Sequence, residues 1–196
     1  MVWAWKARRH AYPLVKALRP QLPATDTVLL LGVATVLALT GLVALLAPPN
    51  TWDSLTYHMA RVAHWSQNRS IWPYATGNEV QNGSSPGAEI IVLHLYVLAA
   101  GDGWVNLVEW LAMVGSLVGV SLIIRQLGGD TRSQTAGALI AATLPMGILQ
   151  ATSTMNDYVV TLWLVCVTSE ILLLAEQPDR GDAALYLALA AGLPIS

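Results

Sequence analysis

The sequence predicts an all-α fold: a multi-pass transmembrane helical bundle with interfacial amphipathic helices in its first outer loop. Three observations predict it. The run 27–47 contains no charged residue, and roughly 20 apolar residues in a helix cross about 30 Å of hydrocarbon. Comparable apolar segments recur at 104–127, 134–150 and 157–175. Of 196 residues, 55% are hydrophobic and 11% charged, against roughly 25% charged in a soluble domain.

The basic N-terminus, 1–26, holds Lys6, Arg8, Arg9, Lys16 and Arg19, half of the ten cations. That bias places it in the cytoplasm and makes 27–47 an outward-running first span. Pro48-Pro49 is a poor cleavage context, so the span reads as an uncleaved anchor in the inner (plasma) membrane. A net charge of -2 gives no reason to expect nucleic acid as a partner; the lipid bilayer is the expected one. The lone Cys166 sits in an apolar run and reads as an inert thiol.

The extracytoplasmic loop, 48–103, is the one large non-spanning region. Gly87 to Ala100 is apolar but only about 14 residues long and contains Glu89 and His94, short of the roughly 17 residues a span needs. With 87–100 in the interface, 104–127 runs inward and puts Arg125 and Arg132 in the cytoplasm, as the cation bias favours. Asp53 and Asp157 then share the outer side. Trp52, Trp65, Trp72, Trp104 and Trp110 fall near that interface, as an aromatic belt does.

Within the loop, 53–68 reads as an amphipathic helix. At 100° per residue, Leu55, Met59, Val62 and Ala63 form an apolar stripe, while Asp53, Tyr57, Arg61, His64 and Asn68 face water. Pro73 to Gly87 reads as loop from its Gly, Pro, Asn and Ser content. Gly128-Gly129-Asp130 is a short inner turn. The segment 183–196 reads as the start of a fifth span, so the sequence looks like part of a longer chain.

Asp53 is the leading candidate for chemistry. A carboxylate just beyond the first span is placed to deprotonate a hydroxyl arriving from the aqueous side. The competing structural role is a helix cap, with Asn50 and the macrodipole as the reason for an acid there. Asp157, opening the helix at 157–175 after a polar turn, carries the same two readings. Arg61 and Arg69 are outer-surface cations able either to hold a phosphate or to snorkel. His58 and His64 do not make a metal site with Asp53. Asp53 and His64 lie about 16 Å apart along a helix, and His58 points away from their face. A divalent cation shared by Asp53 with Asp157 stays open.

The stretch Asn50-Thr51-Trp52-Asp53-Ser54-Leu55-Thr56-Tyr57-His58 follows the first span, and Ser85-Pro86-Gly87-Ala88-Glu89 opens the second interfacial segment. Asp102-Gly103-Trp104 then starts the second span, and Leu144-Pro145-Met146 precedes Asn156-Asp157-Tyr158. This order resembles the N-terminal part of the GT-C superfamily of polyprenyl-phosphate-dependent glycosyltransferases, nearest the protein mannosyltransferase-like members of glycosyltransferase family 39. The resemblance implies an inverting transfer from a polyprenyl-phosphate-linked sugar to an acceptor hydroxyl or amide at the outer face. It implies Asp53 as the base or as the carboxylate that positions the acceptor, and Asp157 as part of the same cavity; Tyr57, His58, Arg61 and Arg69 are the further candidates for substrate binding, with Arg61 or Arg69 toward the phosphate. Ser54 stands where many relatives have a second acid, and Ser85 where some have Lys. A transporter, with Asp157 as a coupling residue, and a non-enzymatic assembly subunit are the other classes the sequence admits.

Overall fold

The computed structural model describes residues 23–176, 181–182 and 186–187. Most of the basic N-terminus and most of the expected fifth span lie outside the described residues. Among the described residues every regular element is helical, and three helices are long and apolar enough to cross a membrane. The fold is thus an all-α helical membrane bundle.

Helix α1, Ala24–Leu46, has no charge beyond its first turn. It stops where Ala47 turns extended, because Pro48 excludes the α conformation from the residue before it. The segment that follows forms α2, Met59–Asn68, preceded by a π-helical turn over Ser54–His58. A short helix α3, Val80–Gly83, leads to α4, Gly87–Leu98. Twelve residues make α4 about 18 Å long, too short to cross. Asn106 Nδ2 donates to Ala47 O at 2.9 Å, so the segment between α1 and the next long helix starts and ends at one end of the bundle.

That next helix is α5, Leu107–Gln126. It ends in a Schellman motif: Gly129 N–H bonds Ile124 O, Gly128 N–H bonds Arg125 O, and Gly128 takes φ +88°, which glycine adopts without Cβ strain. Asp130 then caps α6, Thr131–Ala142, by accepting from Ser133 N–H. Bonds from the Ser133 hydroxyl and amide hold the exposed Asp130 carboxyl below its usual range.

The span expected over 134–150 is two helices, α6 and α7, Pro145–Gln150. Pro145 lacks an N–H and drives Leu144 to an extended ψ of 121°, which ends α6 and restarts the chain as α7. After a turn, α8 runs from Asp157 to Glu176.

α5 and α8 are parallel neighbours. Glu109 meets the start of α8, Gly115 faces Leu162, Gly119 faces Val165, and Gln126 donates to Ser169. The absent Cβ atoms at Gly115 and Gly119 let the helices approach closely, the small-residue packing of membrane helices. Two parallel neighbours need one return crossing between them, which α6 and α7 make. α1 runs antiparallel to α5, with Trp110 Nε1 donating to Leu37 O. The core lies toward the loop end, where Val105, Val108 and Met113 pack with Val62 of α2, Val92 of α4 and Val159 of α8. Outward side chains such as Leu31, Leu39 and Leu164 stay exposed, as expected of faces that meet lipid.

Candidate functional site

The site begins where α1 ends. Thr51 Oγ1 accepts from Ser54 N–H at 3.3 Å, the bond a helix N-cap makes to its third residue. Neither Asn50 nor Asp53 does this work; the Asp53 side chain makes no capping bond. Thr51 and Ser54 also lie within 3.7 and 3.9 Å of Met155 Sδ, which ties this turn to the segment just before α8.

The next residues wind as a π-helical turn, closed by Met59 N–H to Ser54 O. Widening the ring to an i→i+5 bond drops the rotation per residue to roughly 80°. In an α-helix, His58 stands about 140° from Asp53 around the axis; with the wider turn it stands about 40° away. Tyr57 flanks Asp53 from the other side. The turn is stabilised from outside: Thr56 O accepts from Gln81 Nε2 at 2.7 Å and from Asn78 Nδ2 at 3.3 Å. The Gly- and Asn-rich loop 73–87 therefore satisfies the backbone that the irregular turn leaves open, as interrupted helices require.

Of the polar face of 53–68, Arg61 is turned inward, against expectation, while Asn68 stays exposed. His58 is 4% and Arg61 2% exposed, and both meet Glu89 of α4. His58 Nδ1 lies 2.7 Å from Glu89 Oε1, and Arg61 Nη1 lies 3.4 Å from the same oxygen. Arg61 Nε donates to Gln81 O, while Nη2 donates to Ser84 Oγ at 2.7 Å and Val80 O at 3.1 Å. Its guanidinium also stands 5.6 Å from the Trp65 ring centre. Arg61 is a buried clamp between α2, α4 and the loop, not the open surface cation the helical pattern suggests. His58 is sealed beside it. The physical reason is Glu89: two donors can be buried together when one carboxylate balances them.

Asp53 adjoins the Tyr57 phenol, and Met155 joins its turn to the segment that leads to Asp157. The Tyr57 pKa is pushed up to about 12 by burial first, then by the Asp53 charge and hydrogen bond, then by Asp157 and Glu89. Asp53 is the acid nearest this hydroxyl, and the charges of Asp157 and Glu89 add to its effect in smaller measure. Asp157 is exposed beside an open cavity of about 330 Å³ lined by Leu144, Met146, Gly147, Gln150 and Tyr158. Its side chain does not cap α8. That role falls to the fully buried Glu109 of α5, whose Oε2 accepts Tyr158 N–H at 2.8 Å and whose Oε1 accepts Val159 N–H at 3.3 Å. Both acids singled out from the sequence are therefore relieved of capping by other residues, Thr51 for one and Glu109 for the other.

Arg69 stands apart. It ends α2 in the left-handed conformation, φ 50°, and is exposed. It lines an open cavity of about 660 Å³ with Trp65, Ile71, Trp72, Leu93 and Val97. Sixteen residues separate it from Asp53, about 24 Å along a helix, so the two do not share a cavity. His64 stacks on Tyr74 at 4.1 Å, away from Glu89. Among the described residues no group of three or more His, Cys, Asp or Glu is placed to hold a metal ion.

Sequence reasoning missed Glu89 and Glu109 as partners. The signal was present in each case: an acid inside an apolar helix is costly unless paired, so each called for a partner on a neighbouring element. No protein-family model, curated protein or solved structure matches the chain.

Proposed function

We propose that the chain is the N-terminal part of a membrane glycosyltransferase that moves a sugar from a polyprenyl-phosphate donor to an acceptor hydroxyl or amide. Transfer takes place at the extracytoplasmic face, with inversion at the anomeric carbon. The observation that carries this reading is the release of both candidate acids from capping. Asp53 adjoins Tyr57, Met155 ties that turn to the segment before Asp157, and Thr51 and Glu109 serve the helix ends. A carboxylate with no structural duty, beside a hydroxyl and at a bundle end, is equipped to accept a proton.

The chemistry needs little else. A lipid phosphate leaves as a stable anion and requires no general acid. Asp53 takes the proton of the acceptor; Tyr57, neutral far above physiological pH, donates to Asp53 and fixes its direction. Asp157 positions the acceptor from the neighbouring cavity. Charge toward the departing phosphate comes from beyond Arg61, whose Nε and Nη2 are engaged by the loop and whose buried Nη1 faces Glu89, and beyond Arg69, which stands at the far end of α2.

The test is transfer from a labelled polyprenyl-phosphate sugar by the full-length protein in membrane vesicles. A positioned general base contributes roughly 10²–10⁴ in rate, so Asp53→Asn is expected to lower turnover by at least about 100-fold with unchanged abundance. Unaltered transfer removes Asp53 from the mechanism.

A further inference from the structure

Glu89, His58 and Arg61 form a buried unit beside Asp53 that the mechanism above does not use. Glu89 is 1% exposed and puts one oxygen, Oε1, on both His58 Nδ1 and Arg61. Its other oxygen, Oε2, is buried and has no hydrogen-bond partner. With Arg61 charged and Glu89 ionised the unit is neutral as long as His58 is neutral, the state in which burial costs least. Nδ1 faces an acceptor and therefore carries the ring proton, which leaves the lone pair on Nε2. Among the described residues Nε2 makes no hydrogen bond. The imidazole packs on the Tyr57 ring at 4.3 Å, and the π-helical turn sets His58 on the side of the helix that Asp53 occupies.

We infer that His58 and Glu89 form a proton-accepting dyad that returns Asp53 to its ionised form between turnovers. The inference rests on the transferase reading for the origin of the proton, but the dyad itself does not. The acceptor's O–H bond breaks in favour of Asp53, and the electron pair left on oxygen attacks the anomeric carbon. The C–O bond to phosphate breaks with its pair on the phosphate. The proton then leaves Asp53 and forms an N–H bond at Nε2 of His58, through the Tyr57 hydroxyl or a water. The imidazolium holds two N–H bonds, one of them on Glu89, whose spare Oε2 lone pairs offset the added charge. Release of that proton to bulk water resets the site. Glu89 is a positioning residue: it fixes the tautomer and never meets the substrate.

The full-length protein with nitrogen-15 histidine in lipid nanodiscs tests this, with His58→Gln assigning the resonances. The expected spectrum places the proton on Nδ1 and leaves Nε2 bare; a proton on Nε2 overturns the dyad whatever the activity. In the transfer assay His58→Gln is expected to lower kcat about tenfold or more, with KM for the lipid-linked sugar within about twofold. Glu89→Gln keeps an acceptor for Nδ1 without the charge and is expected to lower kcat about threefold or more at equal abundance. Wild-type kcat in both variants overturns the relay while leaving the transferase intact. Absence of transfer by the wild-type protein overturns the transferase reading and with it the relay, and the nitrogen spectrum still decides the dyad.

Discussion

Removing the Glu109 carboxylate is the sharpest test of how the bundle is held. This side chain is fully buried at the start of α5, and its two oxygens take the Tyr158 and Val159 N–H groups of α8 at 2.8 and 3.3 Å. Those are helix-terminal donors with no intrahelical partner. Glu109→Leu is close in volume and leaves both N–H groups dry and unpaired. At about 1–3 kcal/mol for each orphaned buried donor, the loss is about 2–6 kcal/mol. Glu109→Gln keeps one carbonyl oxygen and turns an NH₂ toward the other donor, so its loss is about 1–3 kcal/mol. Denaturation in a mixed-micelle series, followed by far-UV circular dichroism, orders the three proteins wild type, then Gln, then Leu. The opposing term is desolvation of the carboxylate, which can make a buried ion a net cost. A Leu variant within about 0.5 kcal/mol of wild type, or above it, refutes the claim that capping outweighs that cost.

Gly119→Ala places a Cβ against Val165 of α8. It is expected to cost about 1–3 kcal/mol, whereas Gly83→Ala, with open space around it, is expected to unfold with the wild type in the same assay. The raised Tyr57 pKa favours the neutral phenol in the folded protein. Its stabilisation is therefore present in full below pH 10.0 and is lost as pH climbs through about 12. Absorbance titration at the phenolate band should show Asp53→Asn lowering that midpoint, because the Asp53 charge and bond come next after burial among its causes; an unmoved midpoint separates the pair. Single cysteines at Ser84 and Gly129, with Cys166 replaced, are expected to label differently with an impermeant reagent. Ser84 reacts from outside and Gly129 does not, and equal labelling rejects the proposed orientation.

Much of the fold was legible because its signals are local. The uncharged run that became α1, the Gly128-Gly129-Asp130 turn and the brevity of α4 follow from length, charge and turn chemistry alone. The Pro145 break was equally local: a proline inside a helical pattern ends the helix one residue earlier, and counting only apolar residues over 134–150 passed over it. The roles of Asn50 and Asp157 were not legible. Which oxygen reaches which N–H depends on a partner 49 positions away in the case of Glu109, and no pattern within one helix reports that.

The π-helical turn shows why the site was harder to read than the fold. A helical wheel assumes one rotation for every residue, so a single widened turn misplaces every side chain beyond it. Here the wheel sent His58 away from Asp53 and sent Arg61 into water. What widened the turn was not in the helix at all. Asn78 and Gln81, twenty-two and twenty-five residues on, donate to Thr56 O, and Glu89 draws His58 and Arg61 inward. The loop that composition marks as irregular is what keeps the turn irregular, and the turn sets the azimuths of Tyr57 and His58 beside Asp53. Replacing either amide donor is thus a perturbation of the acidic site made without touching an acid, which is the physical sense in which loop and site are one structure.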